Sequence, residues 1–257
     1  ELAVEQVNAA GGVHGKKLLL LTRDDNANPG ETVRAAEELL TREKVDVLTG
    51  GFLSHLGLAL TDFAQQKKRF YLASEPLTDK IVWQQGNHYT FRLRPSTYMQ
   101  VAMLVPDAVK LNKKRWALVY PNYEYGQSAV ATFKQLLKAA QPDVEFVAEQ
   151  ATPLGKVDAG SVVQALADAK PDAIFNVLFA TDLLKILQSG WEGPMLVLTG
   201  DDDSIGGSDL APEIERRLRG VRHVAVARCG HLAPLESPGL TATELCRLWN
   251  SCPTESS

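Results

Sequence analysis

A chain of 257 residues is long enough to bury a substantial core in one large or two small domains. With 45% hydrophobic and 23% charged residues it matches ordinary globular usage, which excludes a disordered, collagen-like or coiled-coil chain. A formal charge of -4 offers no basic stripe for nucleic acid, and no apolar run reaches the roughly 18 to 20 residues of a membrane-inserted helix.

In chain order, Leu2, Val4, Val7 and Ala10 fall at near-helical spacing, and Gly11-Gly12 supplies a left-handed stop, predicting a helix over 2–10. "KKLLLLTRDD" reads as a buried strand, and "GETVRAAEELLTREK" as a helix with acid near its start and base near its end. The strand "VDVLTGG" follows, then a helix over 54–66, the strand "RFYLAS", a helical turn after Pro76 and the strand "YTFRL". A longer helix over 97–111 carries Pro106, expected to kink it.

The alternation goes on with "RWALVYP", a helix over 126–139, "VEFVAEQ", a helix over 159–168, "DAIFNVLF" and a helix over 181–189. Beyond these, "MLVLTG", a helix over 209–218, "RHVAVA" and a helix over 241–250 keep the rhythm. Strands alternating with helices predict an α/β fold with parallel sheets covered on both faces, here two such units meeting near 92–97. Cys229, Cys246 and Cys252 are odd in number and lack paired spacing, so neither a disulfide framework nor a metal site is expected. No cofactor is expected either. Any signal peptide is expected to lie outside these residues.

In open parallel sheets a ligand sits beyond the carboxyl ends of the strands, against helix N-termini. Ser54 follows "VDVLTGG" and Ser74 closes "RFYLAS"; each reads as a ligand contact or as a helix N-cap. Tyr123 and Tyr125 follow "RWALVYP" and are able to cover an apolar or aromatic ligand, and Phe179 ends "DAIFNVLF".

Taken together, "AVEQVNAAGGVHGKKLLLLTRDDNANPGETVRAAEELL", "GGFLSHLG", "EPLTD", "TFRLRPS", "YPNYEYGQS" and "KPDAIFNVLFATD" resemble type I periplasmic solute-binding proteins of the Leu/Ile/Val-binding family, over residues 1–190. The resemblance implies two Rossmann-like lobes, 1–92 and 93–190, closing on an amino acid or small carboxylate without chemistry. It implies a periplasmic receptor that delivers its ligand to the permease of an ABC transporter. Carried over by position, Ser54, Ala73 and Ser74 would hold the ligand carboxylate or ammonium from the first lobe. Tyr125 and Phe179 would close from the second. Glu75, a departure, would recognise a cation or sit in solvent. The family pattern also has a strand ahead of the first helix, and further elements after residue 190, that this sequence does not contain; both ends of the two-lobe fold are expected to be truncated.

From about Pro194 the sequence resembles the last part of an α/β-hydrolase, which implies a βαβα segment over 191–257. "TGDDDS" would present the acid Asp203, and "CGHLAPLE" the base His231. The Gly-x-Ser-x-Gly elbow that such chemistry needs is missing; "GQSAV" with Ser128 lacks the second glycine. Asp203 and His231 are therefore expected to be vestigial, and an esterase-like hydrolase or a non-functional fusion stands as the alternative to a receptor. Asp201 either takes the place of a ligand-ammonium carboxylate or belongs to a solvated acidic turn.

Overall fold

The computed structural model describes residues 1–190, 195–200, 221–226, 240, 243, 244 and 247. Its elements run α1 (Leu2–Ala9), α2 (Pro29–Thr41), β1 (Leu48–Thr49), α3 (Ser54–Lys67), β2 (Tyr71–Ala73), a 3-10 turn (Asp79–Ile81) and β3 (Thr90–Arg92). Then come α4 (Thr97–Lys110), β4 (Arg115–Pro121), α5 (Glu124–Ala140), β5 (Glu145–Thr152), α6 (Ala159–Ala169), β6 (Ala173–Asn176), α7 (Ala180–Gly190), β7 (Met195–Gly200) and β8 (Val221–Val226). Among the described residues all sheet pairings are parallel, in the orders β1-β2-β3, β5-β4-β6 and β7-β8.

The second sheet shows why its helices lie on both faces. Strand β4 is buried from Trp116 to Pro121. With side chains alternating across a strand, Trp116, Leu118 and Tyr120 enter one core with Phe133 and Leu137 of α5 and Val101 and Val105 of α4. Ala117 and Val119 point the other way, into a core with Val162 and Leu166 of α6 and Leu178. The first sheet packs Leu48, Tyr71 and Ala73 against Leu60, Phe63 and Ala64 of α3 and Ala36 of α2.

Local chemistry sets the helix starts. Asn28 accepts hydrogen bonds from the N–H groups of Gly30 and Glu31, with Pro29 opening α2. Ser96 caps α4 through Met99 N, and Asp158 caps α6 through Ser161 N. Pro106 lies inside α4, as expected, and the turn after Pro76 is the 3-10 turn.

Two expectations, the strand "KKLLLLTRDD" and the extent of "DAIFNVLF", need correcting. "KKLLLLTRDD" is not a strand: Leu18 N donates to Asn8 Oδ1 and Leu18 O accepts from Asn8 Nδ2, while Leu19 is 82% exposed. An apolar run becomes a strand only where a neighbour completes its ladder, and no described strand lies beside this one. Helix α1 forms at the expected place but buries none of its residues. Strand β6 stops at Asn176 rather than continuing to Phe179, because Asn176 Oδ1 turns back to accept from Leu178 N at 3.0 Å.

Strand β7 pairs with β8 and not with β6. The expected helix over 209–218, together with Asp201, Asp203, His231 and the three cysteines, lies outside the described residues. Of the expected last helix only 243, 244 and 247 are described, all helical.

Candidate functional site

The strand ends of the two sheets present α3, the 74–78 loop, α5 and the start of α7 toward one another. Ser54 opens α3 and is buried. It is not the N-cap; that place belongs to Leu53, whose side chain cannot cap. Ser54 Oγ instead accepts from the N–H groups of Leu77 at 3.3 Å and Thr78 at 3.2 Å, tying the second loop to the helix. The loop comes this close because α3 has a glycine there: a Cβ on Gly57 would lie 2.5 Å from Pro76 Cγ.

Ala73 ends β2, and its carbonyl accepts from Leu93 N at 3.1 Å. Ser74 follows, with its Oγ 3.2 Å from Thr49 Oγ1 at the end of β1. Glu75 meets Arg94 Nη1 at 2.7 Å, so its cation belongs to the chain itself; both side chains are partly exposed.

On the second sheet, Gly126 lets α5 start tightly against β4, since a Cβ there would lie 2.1 Å from Pro121 O. That start carries Tyr123 and Tyr125, with ring centroids 6.0 Å apart. Tyr125 lies 6.2 Å from Phe179, and Phe179 lies 6.3 Å from Phe52, on the loop into α3. His55, in the first turn of α3, meets Tyr123 edge-on at 5.4 Å. Burial pushes both phenols above their ordinary pKa; proximity of Tyr125 adds to this for Tyr123, and Arg94 opposes it for Tyr125. Both are neutral O–H donors at physiological pH. Tyr125 also walls an apolar cavity of about 130 Å³ with Val101, Leu104 and Phe175.

A polar network joins the two units beside these rings. Glu124 accepts from Thr78 Oγ1 at 2.7 Å and from Lys80 Nζ at 2.9 Å. Asp79 accepts from Thr97 Oγ1 at 2.6 Å and Tyr98 N at 3.1 Å, and Thr97 Oγ1 lies 2.6 Å from Ser128 Oγ. Arg92 donates to the carbonyls of Leu77 and Thr78.

The model of the periplasmic binding protein family matches residues 1–199. The chain belongs to the periplasmic binding protein family. Leu/Ile/Val-binding protein homolog 7 of Brucella suis biovar 1 (strain 1330) is 29% identical over 202 residues, covering 75% of this chain and 50% of the relative. The chain thus spans about half the length of the curated relatives it matches.

Two solved structures share the fold. A solute-binding protein of an ABC transporter from Rhodopseudomonas palustris BisB5, in complex with 3,4-dihydroxybenzoic acid, aligns with a TM-score of 0.66 at 24% identity, covering 87% of this chain and 55% of that one. The branched-chain amino acid transporter substrate-binding protein of Streptococcus pneumoniae, in complex with isoleucine, aligns with a TM-score of 0.67 at 21% identity, covering 86% and 63%. The family is one of non-catalytic, extracytoplasmic solute-binding proteins. Among the described residues, no helix is long and apolar enough to cross a membrane.

In this periplasmic binding protein Ala73 and Ser74 stand at the end of β2 and Ser54 at the start of α3, while Tyr125 and Phe179 are joined to Phe52 by ring contacts. Sequence reasoning missed Phe52 and His55, although both stand in the quoted "GGFLSHLG" directly after a strand. It also missed Asp79 and Glu124, whose partners lie too far along the chain for any local pattern to pair them.

Proposed function

We propose that the chain is the ligand-binding part of an extracytoplasmic receptor for an ABC importer, taking branched-chain or related amino acids or small carboxylates. Residues 1–92 and 93–190 are its two lobes, acting in the periplasm and delivering ligand to a membrane permease. The single observation that supports this best is the contact of the facing strand ends through Phe52 and Phe179, with Ser54 and Ser74 beside it. Charge-assisted hydrogen bonds to a ligand carboxylate fit the start of α3, which no side chain caps, with the Phe52 and His55 rings beside it.

The relatives support two ligand classes, since one fold neighbour was solved with isoleucine and another with a dihydroxybenzoate. Ser54 acts by holding the 77–78 loop, with Ser74 and main-chain groups nearer the ligand. Asp201 is proposed as the partner of a ligand ammonium. Isothermal titration with a panel of amino acids and carboxylates tests the reading: a saturable heat with one of them is expected, and no heat from well-folded protein with any would refute it.

Residues 191–257 are proposed as a separate, hydrolase-like segment without activity. The resemblance of "TGDDDS" and "CGHLAPLE" carries this reading, and the family match extends to residue 199, into β7. The one serine of "GQSAV", Ser128, is engaged with Thr97 and Asp79, which suits the interior of a helix rather than a nucleophile elbow. A p-nitrophenyl ester assay is expected to give equal rates for the natural chain and His231→Ala.

A further inference from the structure

Leu18, Leu19 and Leu20 are 41%, 82% and 41% exposed, whereas the apolar run of β4 is buried. Their backbone is open as well. Among the described residues no N–H or C=O of Leu19, Leu20 or Leu21 takes part in a hydrogen bond. Exposed leucines on unpaired backbone make an open strand edge, a feature that folded chains ordinarily pair, cover or blunt with charge.

One side of this segment is already held. A turn through His14 and Gly15, both at positive φ, leads into it, closed by Val13 N to Lys16 O at 2.8 Å and Lys16 N to Val13 O at 3.0 Å. Two residues on, the Asn8 carboxamide of α1 takes both Leu18 N and Leu18 O, at 2.6 Å and 2.9 Å, as a neighbouring strand would. In an extended chain alternate residues turn their backbone groups to opposite edges. Lys16 and Leu18 are therefore committed to the α1 side, and Lys17, Leu19 and Leu21 offer theirs on the other.

The charges say what completes that edge. "KKLLLLTRDD" carries Lys16 and Lys17 at one end and Asp24 and Asp25 at the other, with leucines between. A second copy laid parallel would set lysine against lysine. Laid antiparallel, it sets lysine against aspartate. Because the rungs of an antiparallel ladder alternate in type, a twofold axis has to pass through a rung and set one residue opposite itself. With Leu20 on the axis, Lys16 faces the second copy's Asp24 and Leu19 faces its Leu21. With Leu21 on the axis, Lys17 faces the second copy's Asp25. Arg23, the remaining charge, is offset within its own copy by Glu38 at 3.1 Å and Glu43 at 3.0 Å.

We propose that residues 16–25 are a self-recognition edge, through which two copies of this chain pair antiparallel. The leucines supply the apolar contact and the charged ends fix the direction. The second copy provides the ladder that this run lacks within a single chain.

Sedimentation velocity of the 257-residue chain tests this with charge-reversed variants. The natural chain is expected to show a concentration-dependent monomer–dimer equilibrium at or below about 0.3 mM. Lys16→Glu/Lys17→Glu changes exposed side chains with no protein partner among the described residues, and should weaken the dimer about tenfold at unchanged melting temperature. Asp24→Lys/Asp25→Lys should do the same, although it also gives up the bonds these carboxylates accept from Asn26 N and Ala27 N. Mixed in equal amounts, the two variants should dimerise again, since each then meets the opposite charge. Leu19→Lys should also weaken the dimer, without disturbing either turn bond, and decides the matter if the aspartate variant melts early. A natural chain that stays monomeric, a lysine or Leu19→Lys variant that dimerises as the natural chain does, or a mixture of the two folded charge variants that stays monomeric would overturn the pairing.

Discussion

The carboxylate of Asp79 accepts a 2.6 Å hydrogen bond from Thr97 Oγ1, so an acid on the 3-10 turn of the first unit is tied to the first turn of the helix that opens the second. It also accepts from Tyr98 N, and Ser128 Oγ lies 3.4 Å away. Asp79 is only 7% exposed, and a carboxylate at a helix start is favoured by the helix dipole. Replacing it by alanine leaves the Thr97 hydroxyl and the Tyr98 amide without this acceptor. We expect Asp79→Ala to cost about 2 to 3 kcal/mol in urea unfolding, and Asp79→Asn clearly less. Equal stability of Asp79→Ala and the natural chain would show that the contact contributes nothing.

Glu124 makes the second bridge between the units, and its two partners differ in what they contribute. Lys80 is about half exposed, so its charge is screened, whereas the Thr78 hydroxyl is buried and depends on this acceptor. Glu124→Gln keeps an acceptor for Thr78 and loses only the ion pair. It should cost less than about 1 kcal/mol, and that small loss should vanish in high salt. Glu124→Leu strands the Thr78 hydroxyl and should cost about 1 to 3 kcal/mol at any salt concentration. Chemical denaturation at two ionic strengths separates the two; salt-dependent destabilisation in Glu124→Leu alone would reverse the assignment.

What could be read from the sequence follows from how local each signal is. Helices α2, α4 and α6 were legible because their signals are local, the caps Asn28, Ser96 and Asp158 each bonding groups within three residues, and "RWALVYP" was legible as a strand of a sheet covered on both faces. "KKLLLLTRDD" misled because hydrophobicity specifies burial, while a strand also needs a neighbour to complete its ladder. At the site, Ser54 was found by position, but it is not the N-cap offered as one of its two readings, and its bonds to the 77–78 loop were not foreseen. Whether its oxygen capped α3 or held Leu77 and Thr78 depended on a loop more than twenty residues away. The ring contacts at the site depended on three such distant approaches and left no local trace beyond the aromatic residues themselves.

The second core carries the tightest aromatic packing. Phe133 is fully buried, stacks on Phe175 with centroids 3.9 Å apart, and meets Trp116 edge-on at 5.3 Å. Phe133→Ala removes the ring from a site walled by β4, α5 and β6 and should cost about 3 to 5 kcal/mol. Phe133→Leu refills most of the volume and should cost about 1.5 kcal/mol. Ligand titration of Phe133→Leu should match the natural chain, since the residue lies in the core rather than at the strand ends. A cost of under about 1 kcal/mol for Phe133→Ala would mean that the core collapses around the gap.

Acid should weaken this same unit first. The N–H of Arg115, aided by that of Lys114, holds the Asp172 carboxyl below its usual pKa, and hydrogen bonds from the Ser161 hydroxyl and amide do the same for Asp158. Burial alone would raise Glu149, but hydrogen bonds from Lys134 and Tyr120 outweigh it and leave it lowered. A carboxyl whose folded pKa is depressed binds protons more readily in the unfolded chain. Its stabilisation is therefore complete above the unfolded value of about 4 and is lost as pH falls through the lower folded value. The melting temperature should hold nearly level from neutral pH to about 5 and then fall. Asp172→Asn keeps an acceptor for Arg115 N but cannot titrate, so its acid decline should be shallower than that of the natural chain. Acid limbs that superimpose for the two proteins would mean that Asp172 has the same proton affinity folded and unfolded.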